Sequence, residues 1–452
     1  MAAEGKSIAR HNQMVIFVNY GAPGDVVDIR ITKTRRRHME GEIVMFHEKS
    51  AVRAEPFCEH FGICGGCKWQ HLNYDEQLRY KQQQVTDNLA RIGKVNYQYE
   101  LLPIAGSEKT EFYRNKLEYT FATRRWLLPA EKNSPPGSDM SALGFHIPGF
   151  FDKVLDIKKC WLQPEPSNAI RLAVREFALK NDMTFFDFKE NKGMLRNIVI
   201  RNNSRGEVMV IVVFYEDESN KRDNLLNYIR KTFPQVLSLY YLINNKKNTS
   251  LADLEPRFYA GEPWLIEDME GLRFKVGAKS FYQTNSGQAN HLYKITLMFA
   301  QLMGSETVYD LYTGTGTIAN YVARRARKVV GVEYVEEAIE YARENSVLNN
   351  LHNLIFEAGD MAKVFTDDFI KLHGRPDVII TDPPRAGMHP DVVERITLSG
   401  AKRVVYVSCN PATQARDIEL LSETYRVTKV QAVDMFPHTH HVESVVLLEA
   451  RV

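Results

Sequence analysis

The sequence predicts an α/β protein: a doubly wound, Rossmann-like sheet in the C-terminal part, preceded by a small OB-like β-barrel and a central α+β region. Three observations predict it. After about residue 275, strand and helix patterns alternate, as in "TVYDLYTGTGTIANYVA" and "KVVGVEYVEEAIEYARENSVLNN", the pattern of parallel strands joined by crossover helices. The first of these strands runs into a glycine turn at Gly314 and Gly316, and the second ends in Glu333. In doubly wound sheets such a turn approaches a nucleotide, and the acidic residue takes ribose hydroxyls. Near the N-terminus, "GDVVDIRI" and "GEIVMF" read as strands on either side of a basic loop. The 452 residues are enough for roughly two to four domains.

The chain starts "MAAEGKSIARHNQ", polar and without an apolar leader, and no apolar run is long enough to span a bilayer. A cytoplasmic location is expected. The net charge of +2 is close to neutral and neither favours nor excludes nucleic acid. Local charge says more. Arg30, Lys33, Arg35, Arg36, Arg37 and His38 fall within nine residues, between the two strand-like runs, with Gly24 and Gly41 as punctuation. Residues 12–53 therefore read as the barrel, with a phosphate-binding stripe on one loop; a plain solvated face would show the same charges.

Of the five cysteines, three are spaced C-x5-C-x2-C at Cys58, Cys64 and Cys67, and the fourth is Cys160. Structural disulfides are rare in a reducing compartment, so the cluster points to a metal, and four thiolates complete either a zinc or an iron–sulfur site. Structural zinc usually draws on two short C-x2-4-C pairs. The single long gap and remote fourth ligand favour the iron–sulfur reading over zinc. His60 and His71 lie nearby and read as solvated loop histidines.

"NYDEQLRYKQQQVTDNLARIG" is an amphipathic helix ended by Gly93, its polar face unremarkable. "EFYRNKLEYTFATRRW" alternates like a strand and interleaves aromatics with Arg114, Lys116, Arg124 and Arg125. Such a mixture stacks bases and holds phosphates, and a half-buried strand looks similar. "AEKNSPPGSD" reads as a loop, and "RNIVIRN" and "EVMVIVVFY" as strands of the central region.

The glycine turn alone also suits a dinucleotide enzyme. Two later segments argue against that. "PDVIITDPPRAGMHP" ends a strand in Asp382-Pro383-Pro384, at the strand end where doubly wound sheets bind ligands. The turn resembles the (Asn/Asp)-Pro-Pro motif of S-adenosylmethionine-dependent methyltransferases. Enzymes that methylate exocyclic amines follow it with an aromatic residue; here Arg385 follows, which points to a carbon target. The second segment is "VVYVSCNPAT", with Cys409 at a strand end. C5 of uracil is a poor nucleophile until a thiolate adds at C6, and the methylated adduct then loses its C5 proton to a base before the thiol leaves. Cys409 is the candidate nucleophile; taken alone it could equally be a small core residue. Glu443, in "MFPHTHHVESVVLLEA", is the candidate base, or else a surface carboxylate at a strand edge.

Together "GAPGDVVDIRITKTRRRHMEGEIV", "CEHFGICGGCKWQHL", "FYRNKLEY", "RNIVIR", "SFYQTN", "DLYTGTGT", "DPPRAG", "SCNPAT" and "HHVESVVLL" resemble, in order and spacing, the RNA (uracil-5-)-methyltransferase family. The likeness is greatest to its iron–sulfur-containing 23S ribosomal RNA branch. The resemblance implies a TRAM barrel over 1–53, a central iron–sulfur domain over 54–275 and a catalytic domain over 276–452, with 72–103 a candidate to pack on the catalytic domain. It implies that Cys58, Cys64, Cys67 and Cys160 ligate a [4Fe-4S] cluster. Gln283, Tyr312, Thr317, Glu333, Asp360 and Asp382 would line the S-adenosylmethionine site, with Cys409 as nucleophile and Glu443 as base. Thr313 and Thr315 depart from residues common in relatives. The implied substrate is ribosomal RNA, with no obligate protein partner. Transfer RNA is the alternative, and a non-catalytic RNA-binding protein a further one.

Overall fold

The computed structural model describes residues 1–451 apart from 129–130, 132–134, 136–138, 249 and 252. The loop expected at 130–139 lies largely outside the described residues. The N-terminal strands β1 (Ser7–His11), β2 (Met14–Val18), β3 (Val26–Thr34) and β4 (His38–Glu48) pair in the order β1-β2-β4-β3. The basic run is not confined to a loop: Arg30 and Lys33 lie on β3 and His38 on β4, and only Arg35, Arg36 and Arg37, all exposed, form the β3–β4 turn. Gly24 sits in a turn at φ +95, but Gly41 lies inside β4. A Cβ there would come within 2.4 Å of the Ile29 Cγ2, so Gly41 permits a close strand contact and is not a turn residue.

Helix α1 (Tyr74–Arg91) is capped by Asn73, which accepts from the Glu76 amide. Strand β5 (Glu100–Ala105) follows. The central region holds β6 (Lys116–Ala122), β7 (Ala142–His146), β8 (Val154–Asp156), α2 (Ser167–Lys180), β9 (Leu195–Asn202), β10 (Val208–Phe214), α3 (Ser219–Thr232), β11 (Val236–Ile243) and β12 (Arg257–Gly261). Its sheet runs β12-β11-β10-β9-β6-β7-β8. Strand β10 is buried along its whole length, hence the unbroken apolar run. A hairpin of β13 (Leu265–Met269) and β14 (Leu272–Val276) leads on.

The C-terminal elements are α4 (Ser286–Ala300), β15 (Thr307–Leu311), α5 (Thr317–Ala323), β16 (Lys328–Glu333), α6 (Glu336–Leu348), β17 (Leu354–Ala358), α7 (Met361–Val364), α8 (Asp367–His373), β18 (Val378–Thr381), α9 (Pro390–Ser399), β19 (Arg403–Ser408), α10 (Pro411–Leu421), β20 (Tyr425–Val433) and β21 (Glu443–Ala450). They build a sheet of order β17-β16-β15-β18-β19-β21-β20-β5. Strands β15 to β19 are parallel, while β21 inserts antiparallel between β19 and β20. Neighbouring residues such as Ile379 and Ile380, or Val404 and Val405, serve opposite cores, as expected of strands covered on both faces. Strand β5 pairs with β20, and Val85 and Leu89 of α1 enter the same core as Ile418 of α10. Residues 74–105 thus lie on the C-terminal sheet. Among the described residues, no helix is long and apolar enough to cross a membrane.

Candidate active site

Strand order reverses at β15 and β18, the place where doubly wound sheets bind ligands. A cavity of about 800 Å³ opens there. The turn after β15 has three residues with positive φ: Tyr312 at +66, Gly314 at +55 and Gly316 at +76. A Cβ on Gly314 would meet nothing within 4 Å, whereas one on Gly316 would approach the Ala342 Cβ at 3.0 Å. Gly316 lets α5 pack against α6, and Gly314 leaves the backbone open to a ligand. Glu333 tethers the turn: its Oε2 accepts from the Gly314 amide at 3.1 Å and its Oε1 from the Val335 amide at 3.0 Å. The Thr317 hydroxyl lies 3.2 Å from the Tyr293 hydroxyl.

The second wall follows from register. Ser408 on β19 faces Ser444 on β21 in the antiparallel ladder, so Cys409 and Glu443, one step outward on each strand, are neighbours at the mouth. Asp382 follows β18, next in the sheet. Gln283, Tyr312, Thr317, Glu333, Asp382, Cys409 and Glu443 all line this one cavity. Asp360 does not. Its carboxylate caps α7 by accepting from the Ala362 amide at 3.1 Å.

The carboxyl groups are held close to neutrality. Burial, reinforced by Asp382, pushes Glu443 up to about 8, with Arg385 opposing. Burial, with Asp310 nearby, pushes Asp382 up to about 7, and burial does the same to Asp310. The Cys409 thiol rises to about 11 through burial and the carboxyl groups of Glu443 and Asp382; a hydrogen bond and the charge of Arg385 act against this. Arg385 Nη2 also donates to His441 Nδ1 at 2.8 Å. Because guanidinium only donates, His441 Nδ1 is the acceptor. Asn410 is otherwise engaged: it caps α10 through the Ala412 amide and donates to the Arg385 carbonyl at 3.0 Å. Arg385 is therefore the cation beside the thiol. Asp310 opens "DLYTGTGT" and Phe281 lies within "SFYQTN", yet neither is singled out by the sequence as a site residue. Asp310 is a carboxylate inside a buried strand, just ahead of the glycine turn, and Phe281 is 70% exposed on the cavity wall.

Cys58, Cys64, Cys67 and Cys160 line a second cavity, of about 410 Å³. Among the described residues, no three His, Cys, Asp or Glu side chains converge closely enough to hold a single metal ion. Four thiols on one cavity are a donor set that either zinc or an iron–sulfur cluster takes. His60 and His71 are buried, not solvated. His60 Nε2 accepts from the Lys158 amide, and His71 Nε2 lies 3.1 Å from the Gly21 carbonyl oxygen.

Sheet order, glycine turn and Asp-Pro-Pro edge define an S-adenosylmethionine-dependent methyltransferase. Residues 207–451 match the family described as tRNA (uracil-5-)-methyltransferase, and residues 2–44 match the TRAM domain. The chain belongs to the tRNA (uracil-5-)-methyltransferase family. It is 59% identical to an "Uncharacterized RNA methyltransferase" of Bacteroides thetaiotaomicron, covering 100% of both chains. It is 54% identical to a protein of the same description from Porphyromonas gingivalis, over 99% of this chain and 98% of that one. Among solved structures it resembles Pyrococcus abyssi tRNA (uracil-54, C5)-methyltransferase in complex with S-adenosyl-L-homocysteine. The TM-score is 0.74 at 30% identity, covering 98% of this chain and 99% of that one. The protein is an S-adenosylmethionine-dependent RNA uracil-5 methyltransferase.

Proposed function

We propose that this enzyme methylates C5 of a uridine in ribosomal RNA through a covalent adduct to Cys409. The observation that carries the covalent step is the β19–β21 register, which makes Cys409 and Glu443 neighbours in the cavity bounded by the glycine turn. Deprotonated Cys409 adds to C6, and the ring becomes an enolate. C5 then takes the methyl group from the sulfonium, releasing S-adenosylhomocysteine. Glu443 removes the C5 proton, and the electron pair expels Cys409 from C6. Arg385 stabilises the thiolate. Gln283, Tyr312, Thr317, Glu333 and Asp382 hold the methyl donor, with Asp360 acting indirectly by ordering the chain after β17.

RNA carrying 5-fluorouridine at the target tests this, because fluorine replaces the proton that Glu443 would take. A methylated protein–RNA adduct is expected with the wild type and none with Cys409→Ala. Glu443→Gln is expected to trap an adduct on unmodified RNA and to slow turnover about 10²–10⁴-fold. Appreciable methylation by Cys409→Ala would exclude covalent catalysis.

Ribosomal RNA is favoured by the cysteine set and its likeness to the iron–sulfur branch. The full-length similarity to the Pyrococcus abyssi transfer RNA enzyme favours the second reading. Mapping 5-methyluridine in both RNA classes from a deletion strain separates them. Cys58, Cys64, Cys67 and Cys160 would hold a [4Fe-4S] cluster, which would serve as a structural cross-link or as a support for RNA binding, since the reaction transfers no electrons. Anaerobically purified protein should contain about four irons per chain; stoichiometric zinc without iron would refute the cluster.

A further inference from the structure

The amphipathic pattern of α1 assigns Gln77 and Lys81 to a polar face, yet both are fully buried. Lys81 Nζ donates to Asp434 Oδ1 at 2.5 Å and to the Phe436 carbonyl at 3.0 Å. Asp434 also accepts from the Tyr74 hydroxyl at 2.9 Å and the Phe436 amide at 3.0 Å. One turn away, Gln77 Nε2 donates to the carbonyls of Trp69 and Leu72, and its Oε1 accepts from the His438 amide at 2.8 Å. The Lys68 and Trp69 amides both donate to the His438 carbonyl. His438 itself is held at φ +63, a conformation that persists in a non-glycine residue only where its surroundings over-determine it. The segment so gripped, 434–441, puts Phe436 and His441 on the active-site wall and leads directly into Glu443.

We propose that Gln77 and Lys81 are positioning residues: from a helix that precedes the central region in sequence, they fix the 434–441 segment and thereby aim His441, its partner Arg385, and Glu443. The inference rests on Glu443 being the base. Two full-length variants test it. Gln77→Met removes the polar grip at similar volume, and Lys81→Met with Asp434→Leu removes the ion pair without stranding a charge. In both, amide exchange over 434–442, and at Lys68 and Trp69 whose amides donate to the His438 carbonyl, should accelerate at least tenfold while the remaining peptides stay protected. The kcat should fall roughly 10²-fold, as misplacement of reacting groups allows. KM for RNA and S-adenosylmethionine affinity should stay within about twofold of wild type. Unchanged exchange or unchanged kcat in both variants would overturn the proposal. So would uniform loss of protection across all peptides, which marks a merely structural role. Glu443→Gln, assayed alongside, separates the two failures: full activity there removes the base itself, whereas inactivity there with fully active loop variants removes only the positioning role.

Discussion

A base must be ionised to take a proton, and the wall around Glu443 works against ionisation. Burial and Asp382 raise it to about 8, while Asp382 and Asp310 stand at about 7. Burial thus favours the protonated forms of Glu443, Asp382 and the neighbouring Asp310 near neutral pH. The sulfonium of the methyl donor brings a positive charge and favours their ionised forms. Binding of S-adenosylmethionine at pH 7 is expected to release protons, and S-adenosylhomocysteine, which lacks the charge, to release fewer. Calorimetry in two buffers of different ionisation heat counts them, and equal counts would show that the carboxyl groups do not sense the sulfonium. The same shift has a stability consequence. The folded state binds the Glu443 proton more tightly than the unfolded chain, so Glu443 costs stability increasingly as pH rises from its unfolded value, about 4.3, towards 8. Glu443→Gln removes that slope and should raise the melting temperature at pH 8, by an amount corresponding to a few kcal/mol at most. Cys409, Glu443 and Asp382 are legible in the sequence because each ends or begins a strand next to a turn motif. Which of Asn410, Arg385 and the histidines of "PHTHH" stands beside the thiol is not legible, because Arg385 is singled out only by Asn410 being engaged and by where the guanidinium folds back.

Elements are legible where periodicity and burial agree. Strands β16, β18 and β19 are largely apolar, and β15 is interrupted only by Asp310, because the sheet is covered on both faces; the turn between β15 and α5 shows itself by its glycines. The two glycines do different work, and their variants should separate. Gly316→Ala combines a strained φ with contacts of 3.0 Å to Ala342 and 3.1 Å to Phe356, and is expected to lose about 1–3 kcal/mol of stability. Gly314→Ala carries the left-handed strain as well but meets nothing within 4 Å, so it should melt closer to wild type than Gly316→Ala and lose methyl-donor affinity instead. Melting curves and calorimetry check the pair, and the reverse order would contradict the packing described. The polar face of α1 misleads for a different reason. Helical periodicity reports polarity, and a buried Lys81 paired with Asp434, 353 positions later, looks identical in sequence to a solvated lysine. The β5–β20 pairing is hidden in the same way, since nothing local specifies a parallel partner that distant.

At the scale of the whole molecule, the three larger sheets have separate roles. The C-terminal sheet carries the chemistry, the central sheet frames the cysteine cavity, and the N-terminal sheet presents charge. Composition conceals this last feature, because a net charge of +2 averages over a surface that is locally very basic. At the β3–β4 turn, Glu40 is taken by Lys6 and Lys33, and Glu42 by Arg30. Arg35, Arg36 and Arg37 are exposed, and no ion pair to them is found among the described residues. Three unneutralised guanidinium groups on a hairpin tip of an RNA-modifying enzyme are suited to phosphate contacts, which displace counterions and so register as salt dependence. Replacing all three arginines with glutamine is expected to weaken RNA binding regardless of sequence and to flatten the plot of log affinity against log salt by about 2. Affinity for S-adenosylmethionine should not move, because the hairpin contributes nothing to the methyl-donor cavity. Fluorescence anisotropy across a salt series measures the slope. An unchanged slope with full RNA affinity would mean that these arginines form a solvated face and that the RNA is held by the central and C-terminal sheets alone.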